Sequence, residues 1–183
     1  MVKAVPSSPV PDPDLMPLAF RDAMRLIAAS VMLVTGRDVD AEPHGMMASS
    51  VIPVSMDPPS MLVAVNRNAG LHPVVRRTRR FCVNLLGDHQ HALLMPFSQT
   101  ALRNQRFADD GWCDVRSSDV DRLPWLPGAP AVIDCAVETE VDYGTHTVFI
   151  GRVTRVRCEQ MGLGDCLPLV WLAGQRAGLT RMA

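Results

Sequence analysis

Between Ile133 and Asp142 the chain alternates residue by residue. Ile133, Cys135, Val137, Thr139 and Val141 interleave with Asp134, Ala136, Glu138, Glu140 and Asp142. A period of two belongs to a β-strand with one buried and one wet face, and an α-helix cannot satisfy it. Tyr143-Gly144 then turns the chain, and Thr147–Val156 supplies a partner strand. The rest of the chain follows this lead. Val31–Thr35 is a short apolar strand, and the polar stretch Gly36–Pro43 turns it back as a hairpin. Met46–Ser55, rich in small and β-branched residues, reads as one strand that Asp57-Pro58-Pro59 ends. Met61–Val65, Phe81–Leu86 and Leu167–Leu172 complete the set. About seven strands with few helices point to a closed antiparallel barrel and away from a parallel α/β sheet.

Helical periodicity is confined to short pieces. Phe20, Ala23, Met24, Ile27 and Val31 form one stripe and predict a helix over Pro17–Ser30, with Pro17 in its first turn. His72–Thr78, Gln90–Phe97 and Leu102–Ala108 read as short helices, and Gly111–Pro130 as a long loop. Met1–Asp14 carries Pro6, Pro9, Pro11 and Pro13 with little to bury and reads as a mobile tail. The expected division is a disordered tail over 1–16 and one domain over 17–183.

The chain has 183 residues and a net charge of −1, which gives no long-range attraction for nucleic acid or an anionic membrane. Aromatic residues are 5%, too few for a base-stacking platform. Neither a nucleic-acid nor a membrane partner is expected. The 11 Met residues read as core filler. Cys82, Cys113, Cys135, Cys158 and Cys166 are odd in number, form no CxxC pair and mostly sit in or beside apolar runs. That usage fits free thiols in a reducing compartment, the cytoplasm. No signal peptide or membrane-spanning run is visible.

Several chemistries lack their signals. There is no G-x-G-x-x-G, no phosphate-binding P-loop, no H-E-x-x-H and no G-x-S-x-G. His89-x-His91 has no further ligand at metal spacing and reads as solvated histidine, so no metal site is expected. A nicotinamide enzyme without a βαβ unit must hold its cofactors in another way.

Four segments together resemble the flavin reductase family with an FMN-binding split barrel. They are Phe20-Arg21-Asp22-Ala23-Met24; His44 through Pro59, including Met47-Ala48-Ser49-Ser50 and Ser55-Met56-Asp57-Pro58-Pro59; Val65-Asn66-Arg67 through His72-Pro73 with Phe81-Cys82-Val83-Asn84-Leu85-Leu86; and Gly144-Thr145-His146 through Val153. Their order and spacing span Phe20 to Gly174. The resemblance implies a mainly β antiparallel split barrel with Greek-key character and a few short flanking helices. It also implies hydride transfer from NADH or NADPH to FMN or FAD, a homodimer, and a flavin-dependent monooxygenase as recipient of the reduced flavin. Rival readings are a flavin- or haem-binding split barrel without turnover, a reductase using its flavin on another acceptor, and a pyridoxamine-phosphate oxidase.

The residues implied for the cofactor are Met47, Ala48, Ser49, Ser50, Ser55, Asn66, Gly70, Leu71, His72, Asn84, Arg106 and Phe107, with His146 lining the nicotinamide side. Small residues at Ala48, Ser49 and Ser50 let a backbone approach a flat ring; the plain alternative is an edge strand with surface serines. The helix opening at His72-Pro73 offers an anion-binding terminus. Gly70 and Leu71 stand where the family commonly has Ser and Thr, which shifts phosphate binding onto backbone amides and nearby cations. Asn84, in an apolar β-run, either meets the flavin edge or ties down a loop. Arg106-Phe107 resembles a basic-aromatic pair near the flavin, or else is a helix terminus with one core aromatic. Arg76, Arg77, Arg79 and Arg80 read as a solvated helix face, with a phosphate contact as the minority reading. Hydride transfer itself asks little of side chains, because the cofactors carry the reactivity.

Overall fold

The structure is a computed structural model and describes residues 12–108, 111–158 and 167–180. Seven antiparallel strands form the main sheet: β2 (Met32–Arg37), β3 (Pro43–Ala48), β4 (Val51–Met56), β5 (Pro59–Asn66), β6 (Arg80–Leu85), β7 (Ala131–Tyr143) and β8 (His146–Cys158). Their lateral order is β3-β2-β6-β7-β8-β5-β4, so β3 and β4 are the two edges. Yet β3 and β4 are consecutive in the chain and joined only through Ser49 and Ser50. Six strand spacings of a flat sheet would put its edges about 29 Å apart. The three Cα steps from Ala48 to Val51 reach only about 11 Å. The sheet must therefore curl until its edges meet. The edges do not pair, so the barrel is split at this joint.

The interior confirms the curl. Val34, Ala48, Val51, Val63, Val83, Val137 and Phe149, one from each of the seven strands, share a single buried cluster. Leu71, Val74 and Val75 of α2 (Leu71–Thr78) join the same cluster, so this helix plugs the barrel. Gly151 is required there: a Cβ at this position would lie 2.8 Å from the Phe81 ring and 2.9 Å from Cys135 Cβ.

The outer faces differ. Leu33, Cys82 and Val132 point outward into a second core, covered by Phe97, Trp112, Leu123 and Leu126 of the segment that crosses from β6 to β7. On β4, Ile52, Val54 and Met56 stay exposed, as do Val141 and Tyr143 on β7. Three short strands, β1 (Ala29–Ser30), β9 (Val170–Leu172) and β10 (Gln175–Ala177), make a separate sheet in the order β1-β9-β10.

Several expected boundaries move. The first helix, α1, is only Met16–Met24, and none of its residues is buried. The helical stripe does not carry on to Ser30, because Ala29 and Ser30 pair with Trp171 and Val170 and Arg25 O accepts from Ala173 N. Strand pairing overrides the helical period there. Helical structure also begins earlier, with a 3₁₀ turn at Pro13–Leu15 that Asp12 caps, inside the stretch read as tail. Met46–Ser55 is not one strand but β3 and β4, broken at the serine joint. The helices expected over Gln90–Phe97 and Leu102–Ala108 are 3₁₀ turns at Asp88–Leu93 and Thr100–Gln105 around the five-residue α3 (Leu94–Ser98). The loop over 111–130 is irregular, as expected, and a bridge between Cys113 and Trp125 closes it. Cys166 and the residues before Asp12 lie outside the described residues. Among the described residues no helix is long and apolar enough to cross a membrane.

Candidate functional site

Strand register gathers Asn66, His146 and Ser50 at one rim. Asn66, the last residue of β5, sits opposite His146, and His146 sits opposite Tyr143 across the β7–β8 hairpin. Gly144 takes φ +55 at the first of two central positions, as a type II′ turn requires. Next to it, Arg67 N donates to Thr145 O at 3.0 Å and the Arg67 guanidinium reaches Gly144 O. Ser50 joins this region because Ala64 N donates to its carbonyl at 3.1 Å. Ala64 pairs with Val148, two residues beyond His146. Two strand spacings and two residues place Ser50 about 12 Å from His146. Ser49, Ser50 and His146 are all exposed. The His146 ring is held by a 2.9 Å contact between Nδ1 and Thr145 Oγ1.

The turn after Asn66 leads straight into α2. Asn66 Oδ1 accepts from Asn68 N, and Asn66 O accepts from Ala69 N. No side chain caps α2 at Gly70, and a Cβ on Gly70 would meet nothing within 4 Å. His72 N is already given to Ala69 O, and Pro73 has no N–H. The Gly70 and Leu71 amides are thus the backbone donors left at this terminus, with Arg67 as the neighbouring cation in the chain. Leu71 contributes backbone only, because its side chain is buried in the barrel beside Gly36.

His72 is also buried, against Phe149. Its Nε2 lies 2.8 Å from Thr147 Oγ1, which donates to Asp142 Oδ1 at 2.5 Å. Asp142 Oδ2 accepts from Arg76 at 2.9 Å. Glu140 takes Arg76 at 3.0 Å and Arg79 at 2.5 Å, and Arg80 pairs with Asp121. Three of the four clustered arginines thus pair with carboxylates of neighbouring elements while staying at the solvated surface.

Burial, helped by Arg76, holds the His72 imidazole below its ordinary value of 6.5. Below 6.5 the unfolded chain binds this proton more readily than the fold does, so stability falls as pH drops through that window. Asp38, Asp88 and Asp142 shift downward from 3.8, so their contributions are lost only at lower pH. Between about pH 6.5 and 4.5 the loss should trace to His72. Urea midpoints of His72→Gln should be flatter across this range than those of the wild type, and parallel slopes would contradict the assignment.

The remaining expected residues sit elsewhere. Asn84 is fully buried on the outer face: its Nδ2 donates to Leu33 O at 3.1 Å and its Oδ1 accepts from Leu126 N at 2.8 Å. The loop-tying alternative is what this geometry shows. Met47 packs on the same outer core, whereas Ala48 points inward. Arg106 donates to Pro96 O at 2.9 Å and to Gly45 O at 2.8 Å, with its guanidinium 5.6 Å from the Phe97 ring centre. Phe107 packs edge-on to Phe97 over Gly45. This pair braces β3 at Gly45, two residues from Met47 in the chain. Ser55 turns inward on its own loop, accepting from Asp57 N and donating to Asp57 O. Cavities of about 390 and 430 Å³ lie around 112–118, away from the rim.

Neither Thr147 nor Asp142 is marked as a site residue by the sequence, and Arg67 only as part of the Val65-Asn66-Arg67 segment. The available signal was Thr147 itself, a polar residue on the inward period of β8 that otherwise reads Phe149, Gly151, Val153.

A curled seven-stranded antiparallel sheet whose edges do not pair, plugged by one helix, defines a split-barrel protein. Residues 24–180 match the family described as flavin reductase like domain. The chain is 36% identical over 163 residues to an FMN reductase (NADH), RutF, of Cronobacter sakazakii, covering 89% of this chain and 93% of that protein. It is 38% identical over 135 residues to the reductase component of the FADH(2)-dependent resorcinol hydroxylase of a Rhizobium species, covering 73% of each. Among solved structures, the styrene monooxygenase flavin reductase of Pseudomonas putida S12 superposes with a TM-score of 0.73 at 28% identity, over 90% of this chain and 99% of that one. The chain belongs to the flavin reductase-like family. It is an oxidoreductase that moves electrons from a nicotinamide to a flavin.

Proposed function

We propose that this chain is the reductase half of a two-component system, oxidising NADH and releasing reduced FMN or FAD to a separate flavin-dependent monooxygenase. The observation that supports it best is the meeting of the Ser49–Ser50 joint, the uncapped α2 start and His146 at one open rim. All three proteins named above are reductases, one of a resorcinol hydroxylase and one of a styrene monooxygenase. The flavin, when bound, supplies the hydride acceptor and the nicotinamide the donor. The chain's own part is placement. Ser49 and Ser50 offer amides and hydroxyls at a joint without bulky side chains. The Gly70 and Leu71 amides with Arg67 receive a phosphate. His146 and Asn66, opposite each other, line the space where the second ring enters and hold it in near-attack geometry. The rim borders the uncovered apolar face of β4, β5, β8 and β7, so we place a second copy of the chain on that face, completing the site as a homodimer. The free thiols Cys82, Cys113, Cys135 and Cys158 suit the cytoplasm.

The test is oxidation of NADH and of NADPH with added FMN, FAD or riboflavin. Turnover with NADH is expected. Flavin binding with no oxidation of either nicotinamide would favour the non-catalytic alternative. Within this reading, His146→Ala should slow flavin reduction at least about 10-fold in stopped flow while changing flavin affinity less than about twofold. Equal losses in reduction rate, affinity and melting temperature would mark His146 as structural.

A further inference from the structure

The hydrogen bonds around His72 have a direction that one residue imposes. Asp142 as a carboxylate can only accept. Thr147 Oγ1, 2.5 Å from Asp142 Oδ1, must therefore donate its single proton there. Having spent that proton, the hydroxyl can only accept from His72 Nε2 at 2.8 Å. The imidazole proton is thus on Nε2. His72 is buried, and burial together with the Arg76 charge disfavours a second ring proton, so the ring is neutral and Nδ1 carries a bare lone pair. Nδ1 has no partner among the described residues and is not sealed from solvent. It stands at the second residue of α2, one position past the uncapped start.

We propose that Asp142, acting through Thr147, is a positioning residue that fixes His72 as the Nε2–H tautomer, so that Nδ1 is a hydrogen-bond acceptor at the head of α2 for a hydroxyl of the flavin's ribityl chain. The proposal rests on the reading of α2 as the flavin-phosphate seat. Backbone amides at that seat are all donors, which suit the phosphate but cannot accept from a hydroxyl. A neutral imidazole acceptor beside them supplies the missing polarity.

Asp142→Asn tests the direction of the relay without removing volume. Asp142 is exposed, so the variant should fold. Arg76 offers only donors, so the new amide gives its oxygen to Arg76 and turns its NH2 toward Thr147. Thr147 then accepts from that NH2 and donates to His72 Nε2, and the imidazole proton moves to Nδ1. Long-range ¹H–¹⁵N correlation spectra of the flavin-free protein read the tautomer directly, with His72→Gln assigning the signal. We expect Nε2–H in the wild type and in Thr147→Ser, and Nδ1–H in Asp142→Asn. FMN and riboflavin Kd should both rise about 10-fold in Asp142→Asn. Both should stay within about twofold of wild type in Thr147→Ser, and kcat at saturating flavin should change little in either variant.

A wild-type Nδ1–H tautomer, or an unchanged tautomer in Asp142→Asn, overturns the relay. A flipped tautomer with unchanged FMN and riboflavin affinity overturns the assignment of Nδ1 to the ribityl chain. Should the wild type bind neither flavin, the reading of α2 fails together with that assignment, while the spectra still decide the relay.

Discussion

Replacing Arg37 by methionine is expected to lower stability by about 3–5 kcal/mol. Arg37 ends β2 with its side chain wholly buried. Its guanidinium is held by backbone carbonyls: Nε donates to Arg122 O at 2.9 Å, and the two terminal nitrogens donate to Ala41 O, Asp114 O and Val115 O. Four backbone acceptors from two loops thus depend on one side chain. Ala41 and Asp114 both adopt left-handed backbone, at φ +66 and +58, which non-glycine residues reach only with support. Methionine keeps much of the stem's volume but supplies no donor, so four part-buried carbonyls lose their common partner. Arg37→Lys keeps the charge yet cannot span four acceptors, and should recover less than about half of the loss. Equilibrium unfolding in guanidinium chloride measures both. A loss under about 1 kcal/mol for Arg37→Met would show that the loops support themselves. Because neither loop reaches the rim, turnover per folded molecule should stay near wild type.

Arg37 was not legible in the sequence. An arginine between a strand and a polar turn looks like a solvated charge, and its acceptors at Asp114, Val115 and Arg122 come from far along the chain. The alternating run in β7 was legible as a strand, but its burial was not: register shifts between Asp134 and Cys135 and between Val137 and Thr139 leave Thr139 and Val141 exposed, so the expected buried face holds only as far as Val137. The division of Met46–Ser55 into two strands was not legible, because its one residue that disfavours a strand, Pro53, lies within β4 and not at the joint. Ser49 and Ser50 form a joint only because β3 and β4 end up as opposite edges of one curled sheet. Asn84 shows the same limit. That a polar residue in an apolar strand needs partners was visible; that Leu126 supplies one was not. α1 failed differently. Its stripe of Phe20, Met24 and Ile27 is a sound helical period, yet the helix stops at Met24 and the stripe stays exposed. Of the residues the family motifs mark, Asn66, Gly70, His72 and His146 lie together at the rim, whereas Arg106 and Phe107 brace β3 on the outer core.

The double variant Ile52→Asp with Ile150→Asp should convert a dimer into a folded monomer, with flavin affinity lower by about 100-fold and NADH oxidation nearly lost. Strand register explains the choice of positions. Ile52 pairs with Leu62, Leu62 with Ile150 and Ile150 with Thr139, one row across four strands on the outward face. The next row runs Ser50, Ala64, Val148, Val141. Met56 and Tyr143, 85% and 82% exposed, extend the apolar surface toward its ends. In a single chain this face meets only water, whereas the outer face of β2 and β6 is covered by its own core. A stable pair of subunits needs about 800 Å² covered on each, and a contiguous apolar face larger than a few hundred Å² marks an interaction site. The face is also continuous with the proposed site, since Ser50 belongs to its second row and His146 lies two residues from Val148. Two carboxylates in its central row would be buried unpaired in a dimer and solvated in a monomer, so they act on association and spare the fold. Sedimentation or light scattering gives the mass, and flavin titration and turnover on the same samples give the function. A wild type that stays monomeric at tens of micromolar with flavin bound would refute the dimer. A monomeric variant with full turnover would instead show that each barrel holds a complete site by itself.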